Sequence, residues 1–321
     1  METFAFIGSD KNAGKTTALL NIYDKLLLDK KSVCLASTGI NGEAVDTFFG
    51  HAKPEIQVRA NSYFISTAEH GAVSPTSFDI LDRLNGPEFS KPYLLCKCTK
   101  DFRLILEGPN TRGQIEAMQH LIRNRIPEVT LLIDGSVDRQ FLGQPTICDG
   151  FYFSILITDR AAQMQQARRL LQPLSFPRAD SKTRAAIGRH KQPRTKSIVL
   201  DQQLIPRYCG DHIPFLDEQL LSAVKKMPAR QTTLYLNGAL PRSLSEHLAG
   251  MKNLRIVLDN FTLFQTISGL PAKRFLPEIT LLQEVKVLGI YLRYETKNYQ
   301  LKEELNLPEN IPVVDLSETT P

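Results

Sequence analysis

The sequence predicts an α/β fold: a mostly parallel sheet flanked by helices, continued in a second α/β half. Three observations predict it. Apolar, β-prone runs alternate with helical patterns from the first residue, as parallel strands joined by crossover helices require. The first such run passes straight into a glycine-containing loop and then a helix. At 321 residues, with 42% hydrophobic and 23% charged residues, the chain can bury a sizeable core and fill two domains.

In chain order, residues 3–8 read as a strand. The helix after it, over 15–29, sets Leu19, Ile22, Tyr23, Leu26 and Leu27 on one side at the spacing of a buried face. Residues 32–37, 64–68 and 102–106 are expected strands, and 112–125 an expected helix. Strands over 129–133 and 151–157 follow, then a Gln- and Arg-rich helix over 159–172. Residues 178–196 break the rhythm; rich in Arg and Lys and poor in apolar side chains, they read as a solvated linker. Beyond it, strands are expected over 197–200, 232–236, 254–258, 285–292 and 313–316, with helices near 216–226, 240–250 and 299–305. The expected division is therefore a first domain over 1–177, a basic linker over 178–196 and a C-terminal α/β domain over 197–321.

Composition narrows the function classes. A formal charge of +5 is mild for this length, and nucleic-acid binding calls for a concentrated basic face. Five cysteines without paired spacing argue against a disulfide framework; Cys96 and Cys98, one residue apart, read as strand neighbours rather than zinc ligands. The histidines His51, His70, His120, His190, His212 and His247 show no paired metal spacing either. No apolar run approaches the roughly 18–20 residues that span a bilayer, and the N-terminus reads directly into a strand, so a cytoplasmic protein without a membrane role is expected.

The chemistry is concentrated in the loop Gly8-Ser9-Asp10-Lys11-Asn12-Ala13-Gly14-Lys15-Thr16-Thr17. Between a strand and a helix, its successive N–H groups and the helix N-terminus form a cradle for phosphate oxygens. Lys15 would reach the terminal phosphates and the Thr16 hydroxyl would ligate magnesium, while Gly14 lets backbone approach phosphate closely. Gly8, Ser9, Asn12, Ala13 and Thr17 complete the expected binding set, and ATP and Mg2+ are the expected ligands. The expected fold is thus of the P-loop NTPase type. Against G-x-x-x-x-G-K-[ST], Ser9 stands at the first glycine position and Gly8 lies one residue early. A guanine-reading N/T-K-x-D segment is not evident, since Thr99-Lys100-Asp101 lacks the spacer, which favours ATP over GTP.

Magnesium needs hard oxygen ligands, and ligands collect at the carboxyl ends of parallel strands. Glu107, Asp134 and, after the second strand, Glu43 or Asp46 are the candidates. Asp134 and Lys15 are the expected catalytic pair. At each acid the alternative is a turn-forming or capping carboxylate. Asp138 and Arg139 read as a simple surface pair.

The early glycine of Gly8-Ser9 resembles the G-[ST]-x-x-x-x-G-K-T loop of dethiobiotin synthetases and the cobyrinate amide-forming ligases. Glu107-Gly108 is similar to the start of the E-G-x-G-G segment of the former. The longer run from Ala5 to Asn21 resembles the P-loop reactivating-factor subunits of the adenosylcobalamin- and pyridoxal-phosphate-dependent lysine 5,6- and ornithine 4,5-aminomutases. So do Thr38-Gly39-Ile40-Asn41-Gly42-Glu43 with Phe49-Gly50-His51-Ala52-Lys53-Pro54, Ser66-Thr67-Ala68-Glu69, and Ile133-Asp134-Gly135-Ser136-Val137-Asp138-Arg139. Together these segments span residues 5–139. The resemblance implies an ATP-using chaperone that exchanges damaged cobalamin, with the aminomutase subunits and a second, MutS-like subunit as partners. An ATP-dependent ligase of the dethiobiotin synthetase-like class and another regulatory P-loop NTPase remain the alternatives.

Overall fold

The computed structural model describes the chain except for residues 42–54, 72–75, 136–139, 215–216, 228–231, 241, 249–250, 252, 265–277 and 317–321. The expected α/β layering is present. A nine-stranded sheet runs in the order Val313–Asp315, Lys286–Tyr294, Gly150–Ile157, Glu2–Gly8, Thr130–Asp134, Val33–Ser37, Tyr63–Thr67, Tyr93–Cys98 and Phe78–Leu84. From Val313–Asp315 across to Tyr63–Thr67 every neighbouring pair is parallel. The last two strands turn antiparallel.

The central strands are nearly continuous apolar runs, as strands covered on both faces must be. Leu131, Leu132 and Ile133 are wholly buried, as are Val33, Cys34, Leu35 and Ala36. The helix Lys15–Leu28 lies on one face and buries Ala18, Leu19, Ile22 and Tyr23, with Leu26 and Leu27 packed partly against the same core. The Tyr23 hydroxyl donates to Ser62 Oγ (2.6 Å) and accepts from the Arg59 N–H (2.9 Å), so this large side chain enters the core with its polar end satisfied. Cys96 and Cys98 occupy alternate positions of Tyr93–Cys98 and are buried, and burial pushes their thiols up to about 12 and about 11.

Three expectations are corrected. The strand expected over 102–106 is two short strands broken at Ile105: Phe102–Leu104 pairs with Ile56–Val58, and Leu106–Gly108 with Gly39–Asn41. The basic run is not a bare linker. It holds the helix Ser181–His190, whose N-cap Asp180 accepts from the Thr183 N–H (2.9 Å) and whose inner side buries Thr183, Ala186 and Ile187. The segment expected as a helix near 299–305 is a 3-10 turn, Tyr299–Leu305.

The division of the chain also differs from the expected one. One compact unit comprises Met1–Arg168 with Val285–Pro321, and the other Arg169–Glu284. The physical reason is register: Lys286–Tyr294 pairs in parallel along the whole of Gly150–Ile157, so the C-terminal residues complete the first sheet. The second unit has its own five-stranded sheet, ordered Pro206–Gly210, Ser197–Leu200, Thr232–Leu236, Leu254–Leu258 and Glu278–Leu281. Its first three strands are antiparallel and its last three parallel. Ile198, Leu200, Tyr235 and Val257 form its core with Ala186 and Ile187 of the Ser181–His190 helix. Among the described residues no helix is long and apolar enough to cross a membrane.

Candidate functional site

The loop leaves the carboxyl end of Glu2–Gly8 and enters the Lys15–Leu28 helix at Gly14, the helix N-cap. Two residues bend it with left-handed backbone, Asn12 at φ 60° and Gly14 at φ 90°. Only glycine fits the second: a Cβ there would lie 2.4 Å from Leu316 Cδ1 as well as straining the backbone. The near end is held by Ser9. Its N–H donates to the Ser154 carbonyl (2.9 Å), its hydroxyl accepts from the Leu156 N–H (3.0 Å), and its carbonyl accepts from Gln166 Nε2 (3.2 Å). Ser154 stands in register with Gly8, and its own buried hydroxyl has no hydrogen-bond partner among the described residues.

Lys15 folds back along the loop. Its Nζ donates to the Asp10 carbonyl (3.1 Å) and lies 3.0 Å from where a Cβ on Gly8 would be. Thr16, one residue on, donates its hydroxyl to Asp134 Oδ2 (2.8 Å). Asp134 ends the adjacent strand and is fully buried; the sequence separates the two residues by 118 positions, and the parallel register Phe6–Asp134 brings them together. The Asp134 carbonyl in turn accepts from the Thr38 N–H (2.9 Å) and hydroxyl (3.3 Å), which ties the end of Val33–Ser37 to the same point.

Glu107 is placed otherwise. Its carboxylate accepts from Lys91 Nζ (2.5 Å) and Thr67 Oγ1 (3.1 Å) and meets His70 Nε2 (3.1 Å), so its partners are these rather than Thr16. Burial works against the charged form, but the Lys91 ammonium and the Thr67 hydroxyl outweigh it and hold the carboxyl below the usual carboxylate range. Lys91 and His70 were not legible as its partners, since nothing in sequence spacing joins positions 70, 91 and 107. Glu43, Asp46, Asp138 and Arg139 lie outside the described residues. Among the described residues no cluster of three or more His, Cys, Asp or Glu side chains is placed to hold a metal ion by itself.

No family model, curated protein or solved structure matches the chain. The chemistry of the site therefore stands on its own geometry. A helix N-terminus, an ammonium along the loop and a hydroxyl–carboxylate pair beside it can receive an anion at one end and a hard cation at the other.

Proposed function

We propose that the chain is a P-loop protein that binds ATP with magnesium at the Gly8–Thr17 loop and spends the bound nucleotide on conformational work, as a reactivating factor of an adenosylcobalamin-dependent aminomutase. The observation that carries the nucleotide half is the 2.8 Å hydrogen bond from Thr16 Oγ1 to the buried Asp134 carboxylate, at the mouth of the loop that Lys15 spans. Those oxygens are hard donors and fit Mg2+, which takes one or two protein oxygens and fills its remaining positions with phosphates and water. Thr16 and Asp134 would hold it, and bound there it offsets charge on the terminal phosphates.

The chain's own groups do the rest. Lys15 exchanges the Asp10 carbonyl for phosphate oxygens, and the N–H groups from Asn12 to Thr16 orient the polyphosphate. Because Thr38 is anchored on the Asp134 carbonyl, a ligand that shifted the Asp134 backbone would also shift the end of Val33–Ser37. This is a ligand-biased element of the kind that conformational work needs.

The role at a mutase rests on the resemblance, read in the sequence, of four segments between residues 5 and 139 to the reactivating subunits, and the partners are then the aminomutase and a MutS-like second subunit. The test uses aminomutase blocked with cyanocobalamin, the second subunit, and this chain with ATP and magnesium. Turnover is expected to return, and to stay absent when Lys15→Ala replaces the native chain. Failure to restore turnover with both subunits present contradicts the role. Hydrolysis stimulated instead by a small carboxylic acid or amine identifies a ligase of the dethiobiotin synthetase-like class.

A further inference from the structure

We infer that Arg293, carried back to the first unit by the strand Lys286–Tyr294, is a phosphate-binding residue of the nucleotide site on the flank opposite Asp134; this rests on the nucleotide-binding reading above. Three observations meet at this side chain. Lys286–Tyr294 is parallel to Gly150–Ile157, which is parallel to Glu2–Gly8, so Arg293 emerges at the same carboxyl edge as the loop. Tyr291, two residues earlier on the same face, donates to Asn21 Oδ1 of the Lys15–Leu28 helix (3.2 Å), which fixes that face toward the helix the loop enters. A Cβ on Gly14 would lie 3.7 Å from both Cβ and Cδ of Arg293, so the arginine stem runs alongside the helix N-cap.

The guanidinium is exposed, and among the described residues its side chain makes no ion pair and no hydrogen bond. Neighbouring arginines on this edge are engaged: Arg160 pairs with Glu295 and Arg168 with Glu304. An uncommitted guanidinium beside a helix N-terminus matches a phosphate in charge and in planar, bidentate geometry. Sheet order gives it a place along the nucleotide. Thr16 and Asp134 stand toward Thr130–Asp134 and would hold the metal, which would offset charge on the terminal phosphates. Arg293 stands toward the other flank and meets phosphate oxygens there. The site is thus completed by residues from the far end of the chain.

The test is calorimetric titration of the full chain with magnesium–ATP and, separately, with magnesium–tripolyphosphate, which carries the phosphates without a nucleoside. Arg293→Ala is expected to weaken both ligands about tenfold or more, as loss of a charge-assisted hydrogen bond does, with an unchanged thermal melt. Arg293→Lys recovers part of the loss, and Lys297→Ala, which removes an exposed cation four residues on, leaves binding as it was. Wild-type affinity in Arg293→Ala overturns the assignment while leaving the nucleotide reading in place. Loss for ATP alone, with tripolyphosphate unaffected, overturns it too, since the arginine would then serve the nucleoside. If the native chain binds neither ligand, the nucleotide reading and this inference fall together.

Discussion

Gly14 concentrates the demands of the loop in one residue. It caps the helix, turns the chain at φ 90° and leaves room for Leu316 Cδ1, which a Cβ would approach to 2.4 Å. Gly14→Ala is therefore expected to cost ~1–3 kcal/mol in stability through backbone strain and crowding. Denaturant midpoints measure this, and an unchanged midpoint would show that loop and C-terminal strand do not meet as described. Glu107 gives a second residue-scale prediction, in pH. Its folded pKa is depressed, so the stability it contributes is fully present above its unfolded value, about 4.3, and is lost as pH falls through the lower folded value. Lys91→Met removes the principal counter-charge from a carboxylate that stays buried. It should destabilise by roughly 1–2 kcal/mol at neutral pH, since Lys91 is itself partly solvated, and flatten the loss of stability between about pH 5 and pH 3. Thermal melts across that range test it; profiles that stay parallel would refute the pairing. The loop residues Gly8, Gly14, Lys15 and Thr16 could be picked out in the sequence because their chemistry is local and ordered along the chain. Lys91 and Arg293 could not, because what makes them matter is a neighbour that no local spacing marks, Glu107 for the first and Gly14 for the second.

At the scale of elements, local signals that agree with tertiary packing were readable, and those that packing overrides were not. The helix Arg112–Arg125 stands where periodicity puts it, and its start is fixed by a capping box between Thr111 and Gln114. The helix Ser181–His190 was hidden by its own cations: only Thr183, Ala186 and Ile187 turn inward, and two of these are small. Its cap is the sharpest test of it. Asp180→Ala removes hydrogen bonds to the Thr183 N–H (2.9 Å) and hydroxyl (2.7 Å) and should cost about 1–2 kcal/mol. Equal denaturant midpoints for variant and native chain would contradict the capped helix. The edge strand Phe78–Leu84 escaped notice for a related reason. It carries Asp79, Asp82 and Arg83, leaves Ile80 and Leu81 exposed and shifts register between Ile80 and Asp82, so no clean alternation marks it. Charges and a bulge on an edge strand also discourage pairing with other chains.

Across the whole molecule, α/β alternation was plain in the sequence but the assignment of strands to sheets was not. An apolar run such as that of Lys286–Tyr294 reads the same whether it continues a second sheet or returns to the first, because pairing partners leave no local mark. The structure settles it through the register with Gly150–Ile157. A chain ending at Glu284 is accordingly expected to lose the first unit's cooperative melt, since Phe151, Phe153 and Ile155 of the exposed neighbour strand would lose their cover; an intact melt would contradict the division. The central claim is that this first unit holds a magnesium–triphosphate site around Lys15, Thr16 and Asp134. The most direct test is calorimetric titration with a non-hydrolysable ATP analogue, run with magnesium and with chelator, on the native chain and on Lys15→Ala. The native chain should bind, more tightly with magnesium, and Lys15→Ala should lose most of that affinity while melting at the native temperature. Identical isotherms for the two proteins, or no heat from the native chain under either condition, would contradict the claim.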